Sequence, residues 1–105
     1  MHDNACPNYE DIIEDYYYGH RWLKRHFTRM PKIGWHVDPF GHSASLPILL
    51  DKMGFMGLVI NRIHHRDKRK RGDLNHLDFV WSPTPKTSLL THILSDHYSP
   101  PDALN

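Results

Sequence analysis

The sequence predicts an α/β fold in which helices alternate with parallel strands. Apolar residues recur at three- and four-residue steps between Pro7 and Phe27. Short β-prone runs stand at 33–37 and 58–60, with a second helical pattern between them. Strands separated by helices join through right-handed crossovers, the connection that parallel pairing requires.

The first helix is read over Pro7 to Phe27. Asn8 suits its N-cap, and Glu10 and Asp11 place negative charge in the first turn, where the helix dipole favours it. Arg21, Lys24 and Arg25 place positive charge near the other end. Tyr9, Ile12, Ile13, Tyr16, Leu23 and Phe27 form one apolar face, and the run Tyr16-Tyr17-Tyr18 reads as core and rim packing. Pro31 ends the helix.

Ile33 to Val37 reads as a strand, and Pro39-Phe40-Gly41 as a sharp turn after it. Ser43 or Ser45 caps a second helix running to Met53, with Leu46, Leu49, Leu50 and Met53 inward and Gly54 as the stop. Leu58 to Ile60 suits a buried strand. The stretch that follows reads as a solvated loop. Leu77 to Trp81 is a third strand and Ser82-Pro83-Thr84-Pro85 a turn. Ser88 to Leu94 reads as a short helix, and Pro100-Pro101 ends regular structure. Three strands leave two open edges, with Leu58, Val59, Ile60 and Val80 exposed there.

The chain has 105 residues, 39% of them hydrophobic, and a mean hydropathy of −0.63. That suits one small domain or a piece of a larger one. A chain of this size buries only about two-thirds of its unfolded surface, so it is expected to lean on neighbours outside itself.

The net charge of +1 hides an uneven distribution. Arg62, Arg66, Lys68, Arg69, Lys70 and Arg71 stand against Asp67 alone, a local charge of +5 that leaves −4 elsewhere. A basic run of this kind opens the alternative of a non-catalytic binding module for a polyanion. No recognisable nucleic-acid motif surrounds it, so no nucleic-acid partner is expected.

Cys6 is the only cysteine, which excludes an internal disulfide and a cysteine-based zinc motif. No apolar run approaches the ~20 residues needed to span a bilayer. Met1 to Pro7 lacks the apolar core of a signal peptide, so any secretory signal is expected outside this chain.

The strongest chemical signal is an acid at a strand end, before a tight turn into a helix. In parallel α/β folds, active residues gather at the C-terminal ends of strands. Asp38 holds that position, with Pro39 and Gly41 shaping the turn. Positions i and i+2 of a strand share a face, so His36 and Asp38 are expected to point the same way. By spacing alone the pair suits either a metal-ligand pair or an Asp that caps the turn.

The run Trp35, Asp38, Pro39, Phe40, Gly41, His42, Ser43 resembles the signature Trp-x-x-Asp-Pro-Phe-Gly-His-Ser of glycoside hydrolase family 38, the retaining α-mannosidases. The likeness runs the length of the chain. Asp3 and Ala5 resemble part of an Asn-Asp-Glu-Ala segment, with His2 and Asn4 departing from it. Gly19-His20-Arg21-Trp22-Leu23 resembles the family's Gly-x-x-Trp/Phe-Leu helix, and Lys52-Met53-Gly54-Phe55 followed by Arg62 the next helix and strand. Tyr98-Ser99-Pro100-Pro101 resembles the Tyr-x-Pro-Pro loop of the lysosomal type.

The resemblance implies a fragment of a seven-stranded β/α barrel, residues 1–105 being part of an N-terminal catalytic domain. It implies that Asp38 is both nucleophile and zinc ligand. Phe40, Arg62 and Tyr98 become substrate-binding residues, and His36 a neighbour of the zinc site rather than a ligand. One Zn2+ is implied, with most of its ligands and the acid/base outside this chain. The implied substrate is a mannose-containing oligosaccharide, and the implied location the lysosome or secretory pathway. The rest of the catalytic domain is required, so the isolated chain is expected to be inactive; a degenerate pseudoenzyme fragment is the further alternative.

Overall fold

The computed structural model of the chain describes residues 2–100. Seven elements follow one another: α1 (Tyr9–His26), β1 (Ile33–His36), α2 (Ser45–Lys52), β2 (Gly57–Ile60), α3 (His65–Asp73), β3 (Asp78–Trp81) and β4 (Leu89–Ile93). The strands form one sheet in the order β1-β2-β4-β3. β1 pairs with β2 and β2 with β4, both in parallel, while β3 runs antiparallel to β4.

The first four elements follow their local signals. Asn8 precedes α1, and its N–H donates to the Asp11 carboxylate at 3.3 Å. Ser43 Oγ accepts the Ser45 N–H at 3.2 Å at the entry to α2. Gly54 takes φ +83 just past its end, a conformation that glycine adopts without steric cost. Gly34 lies flat against α2: a Cβ there would stand 3.2 Å from Leu50 Cδ1 and 3.2 Å from Leu58 Cδ1.

One face of the sheet carries the core. Leu58 and Ile60 of β2 and Leu89 and Ile93 of β4 are buried against Leu46 and Leu50 of α2, Ile12 of α1 and Phe55. The opposite face is uncovered among the described residues. Ile33, Trp35, Val80 and Leu90 are each more than half exposed there. Parallel sheets in folded domains are covered on both faces, and this one is covered on one.

Four expectations are corrected. Ser88 to Leu94 is not a helix; Leu89–Ile93 is an interior strand. Its side chains alternate, with Leu89, Thr91 and Ile93 buried and Leu90 exposed, the period-2 signature of a strand. This fourth strand flanks β2, so Leu58 and Ile60 are buried rather than exposed at an edge. The basic stretch is not a loop but α3, whose Lys and Arg are good helix formers. Its start is capped by His64 Nδ1, which accepts the Arg66 N–H at 3.3 Å, and Asp67 pairs with Arg71 one turn on at 3.0 Å.

The third correction is that not every strand is parallel. Seven residues join β3 to β4, too few for a parallel crossover and enough for an antiparallel return. The fourth concerns α1, whose apolar face is only partly used. Ile12 is buried and Tyr16 packs on the core, but Tyr9, Ile13 and Phe27 of that face are exposed, as are the neighbouring Tyr17 and Tyr18. Of the expected loop at 98–101, Pro101 lies outside the described residues.

Candidate active site

The three parallel strands end side by side, and each sends one polar side chain to a common point. Asp38 lies two residues past β1, Arg62 two residues past β2, and Tyr98 in the turn that follows β4. The Tyr98 hydroxyl donates to Oδ1 of Asp38 at 2.6 Å. Nε–H of Arg62 donates to the same oxygen. Among the described residues, Oδ2 of Asp38 takes no hydrogen bond.

Local structure fixes each partner. Val37 and Pro39 are buried on either side of Asp38, so the chain is anchored where the carboxylate emerges. Asp3 Oδ1 accepts the Phe40 N–H at 3.0 Å, and Gly41 takes φ +118 to complete the bend. Nε2–H of His42 donates to the Arg62 carbonyl at 2.6 Å, tying the turn after β1 to the end of β2. Asp96 O accepts the Ser99 N–H at 2.9 Å, closing the turn that carries Tyr98.

The electrostatics follow from these contacts. The Tyr98 hydroxyl, and after it the Arg62 guanidinium, hold the Asp38 carboxyl below the usual carboxylate range. The same contacts raise the Tyr98 hydroxyl and the Arg62 guanidinium above their ordinary values. Asp38 is therefore an ionised carboxylate with one oxygen saturated and one available. Phe40 is 71% exposed beside it. The Arg62 guanidinium stacks over its ring, 5.1 Å from the centroid.

All four residues singled out from the sequence, Asp38, Phe40, Arg62 and Tyr98, thus meet at one place. His36 does not share the opening with Asp38. It is fully buried, with its ring stacked on His2 at 4.9 Å. Burial, and after it the neighbouring His2 and His42, push its imidazole down to about 4. Neither ring nitrogen of His36 finds a partner among the described residues, nor do both amide atoms of buried Asn4. Sequence reasoning missed the anchoring roles of Asp3 and His42, whose signal was only that both lie in segments resembling the family.

Among the described residues, no group of three or more His, Cys, Asp or Glu side chains is placed to hold a metal ion. Among the same residues, no helix is long and apolar enough to cross a membrane.

The family description "Glycosyl hydrolases family 38 N-terminal domain" matches residues 1–105. The chain is 38% identical over 106 residues to "Alpha-mannosidase F" of Dictyostelium discoideum, covering 96% of this chain and 11% of that protein. It is 37% identical over 108 residues to "Lysosomal alpha-mannosidase" of the same organism, covering 100% of this chain and 11% of that protein. Against "Lysosomal alpha-mannosidase" of Felis catus it is 37% identical over 111 residues, covering 99% and 11%. The chain therefore spans about a tenth of the length of the curated relatives it matches.

Proposed function

Because this chain belongs to glycosyl hydrolase family 38, we propose that it carries the nucleophile segment of a retaining α-mannosidase. The convergence of Tyr98 and Arg62 on Oδ1 of Asp38 is the observation that carries this reading. It leaves Oδ2 free to attack an anomeric carbon, and it keeps the carboxylate ionised for that attack.

A retaining mechanism needs a second carboxyl group about 5 to 5.5 Å from the first, to protonate the leaving oxygen. That group comes from outside these residues. The work assigned to this chain is narrower. Asp38 bonds to the sugar, Tyr98 and Arg62 fix its orientation, and the exposed Phe40 ring lies against the mannose. The substrate is a mannose-bearing oligosaccharide, in keeping with the names of the relatives.

A Zn2+ ion fits the donor chemistry of this chain at one residue, the Asp38 carboxylate, a hard anionic oxygen ligand. When bound, such an ion supplies Lewis acidity and a template for sugar hydroxyls. Its other ligands lie outside this chain.

The sheet is part of a larger β/α barrel, and residues 1–105 are part of one catalytic domain. The uncovered face with Ile33, Trp35, Val80 and Leu90 supports that reading, as do the exposed aromatics of α1. The lysosome or secretory pathway is the proposed location, from the naming of two of the relatives.

Asp38→Asn in the complete catalytic domain tests the reading. Turnover of a chromogenic α-mannoside falls by orders of magnitude if Asp38 is the nucleophile. Turnover within a few-fold of the parent would remove Asp38 from the mechanism.

A further inference from the structure

Behind Tyr98 a line of polar contacts runs away from the cleft into the body of the fold. Lys68 of α3 places Nζ 2.7 Å from Oδ1 of Asn61 and 3.4 Å from the Asn61 carbonyl oxygen. Nδ2 of Asn61 lies 2.7 Å from Nδ1 of His97. The His97 ring stacks on Tyr98, with centroids 3.9 Å apart and planes 27° apart. Tyr98 in turn donates to Asp38.

The donor inventory makes this line directional. A lysine ammonium has three donors and no acceptor, so the Asn61 oxygen must face Lys68. The Asn61 NH2 then faces His97, whose Nδ1 accepts. In the neutral ring the proton therefore sits on Nε2. One cation thus sets the amide orientation, the imidazole tautomer and the plane on which Tyr98 rests. Asn61 is 1% exposed, so its amide has no solvent to turn to if either partner is lost. Lys68 is held there against desolvation, which lowers its pKa from the ordinary lysine value.

The arrangement answers a mechanical need. Asp38 and Arg62 sit close behind strand ends, but Tyr98 stands on an exposed turn five residues past β4. A hydroxyl on such a turn misses its target unless the ring behind it is fixed, and a shift of about 1 Å at a reacting group costs rate heavily.

We propose that Lys68, Asn61 and His97 are positioning residues that hold the Tyr98 ring so that its hydroxyl meets Oδ1 of Asp38. This rests on the reading of Asp38 as the nucleophile. It makes a link from α3 to the active site, and separates Lys68 in kind from the other cations of that helix.

A double-mutant cycle in the complete catalytic domain tests it, with kcat and KM measured on a chromogenic α-mannoside. Asn61→Leu is expected to lower kcat by roughly 5- to 20-fold with KM little changed. In a Tyr98→Phe background the same change is expected to cost less than about two-fold, because its target is already gone. Lys68→Met reproduces this pattern from a half-buried position, should Asn61→Leu not fold, and Lys68→Arg restores most of the rate. The 15N shifts of labelled His97 are expected to report the Nε2–H tautomer in the parent and a mixture in Lys68→Met. Full additivity with Tyr98→Phe, or a parent His97 protonated on Nδ1 alone, would overturn the inference and leave the nucleophile reading standing. A silent Tyr98→Phe would overturn Tyr98's place in the site, and this inference with it.

Discussion

Tyr98 and Asp38 stand 60 positions apart in sequence and 2.6 Å apart in space, hydroxyl to Oδ1. That bond is the largest influence holding the Asp38 carboxyl below its usual range. Its removal therefore raises the Asp38 pKa, and the carboxylate protonates at higher pH than before. For Tyr98→Phe the acid limb of the kcat/KM profile is expected to move to higher pH, with the alkaline limb unmoved. An unmoved acid limb would mean that Asp38 does not set it.

Phe40 and Arg62 divide the site's work from that of α3. Phe40→Ala is expected to raise KM by about ten-fold, the order of one lost apolar contact, with zinc content unchanged. Arg62→Ala is expected to impair kcat. Replacing Arg66, Arg69 and Lys70 together with Gln is expected to leave both constants within about two-fold, the usual range for solvated surface changes. Zinc loss in Phe40→Ala, or loss of rate only in the triple variant, contradicts the division.

Buried His36 makes stability fall in acid. Its folded pKa of about 4 lies below the ordinary 6.5, so the native state binds fewer protons than the unfolded chain. Its contribution is complete above pH 6.5 and is lost as pH falls toward 4, at most roughly 3 kcal/mol. The melting temperature of the complete domain is expected to drop across that window, and His36→Gln to flatten the drop. Equal slopes in parent and variant would show that His36 is not the group responsible.

The 105 residues by themselves are expected to retain no zinc after dialysis and to show no mannosidase activity. A catalytic zinc takes three protein ligands and an open position, and on the proposed reading this chain supplies one of them, Asp38. The uncovered sheet face also predicts self-association in sedimentation experiments. Stoichiometric zinc with turnover in a monomeric preparation would contradict both the ligand assignment and the partial-domain reading.

Much of this was legible in the sequence because the local signals were strong. Asn8 and the charge bias of α1, the Gly54 stop and the Leu46–Leu50 spacing each named their element. Asp38 stood out by position and by its resemblance, and Arg62 and Tyr98 by resemblance alone. β4 was misread because Leu89-Leu90 and Ile93-Leu94 fit a helical step as well as an alternating one. The pairing that decides between them is set by β2 and β3, which are distant in sequence. α3 has no apolar face, so periodicity could not reveal it. The line from Lys68 through Asn61 to His97 joins three residues of ordinary type on three separate segments, and it exists only once β2 and β4 are neighbours.

The central claim is that Asp38 forms the bond to mannose. The most direct measurement traps that bond, using a fluorinated mannosyl fluoride that glycosylates a nucleophile quickly and releases it slowly. Peptide mapping by mass spectrometry of the complete domain then locates the sugar. A single fluoromannosyl adduct on Asp38, absent from Asp38→Asn, is the predicted result. An adduct on another carboxylate, or hydrolysis with inverted product and no adduct at all, would contradict the account.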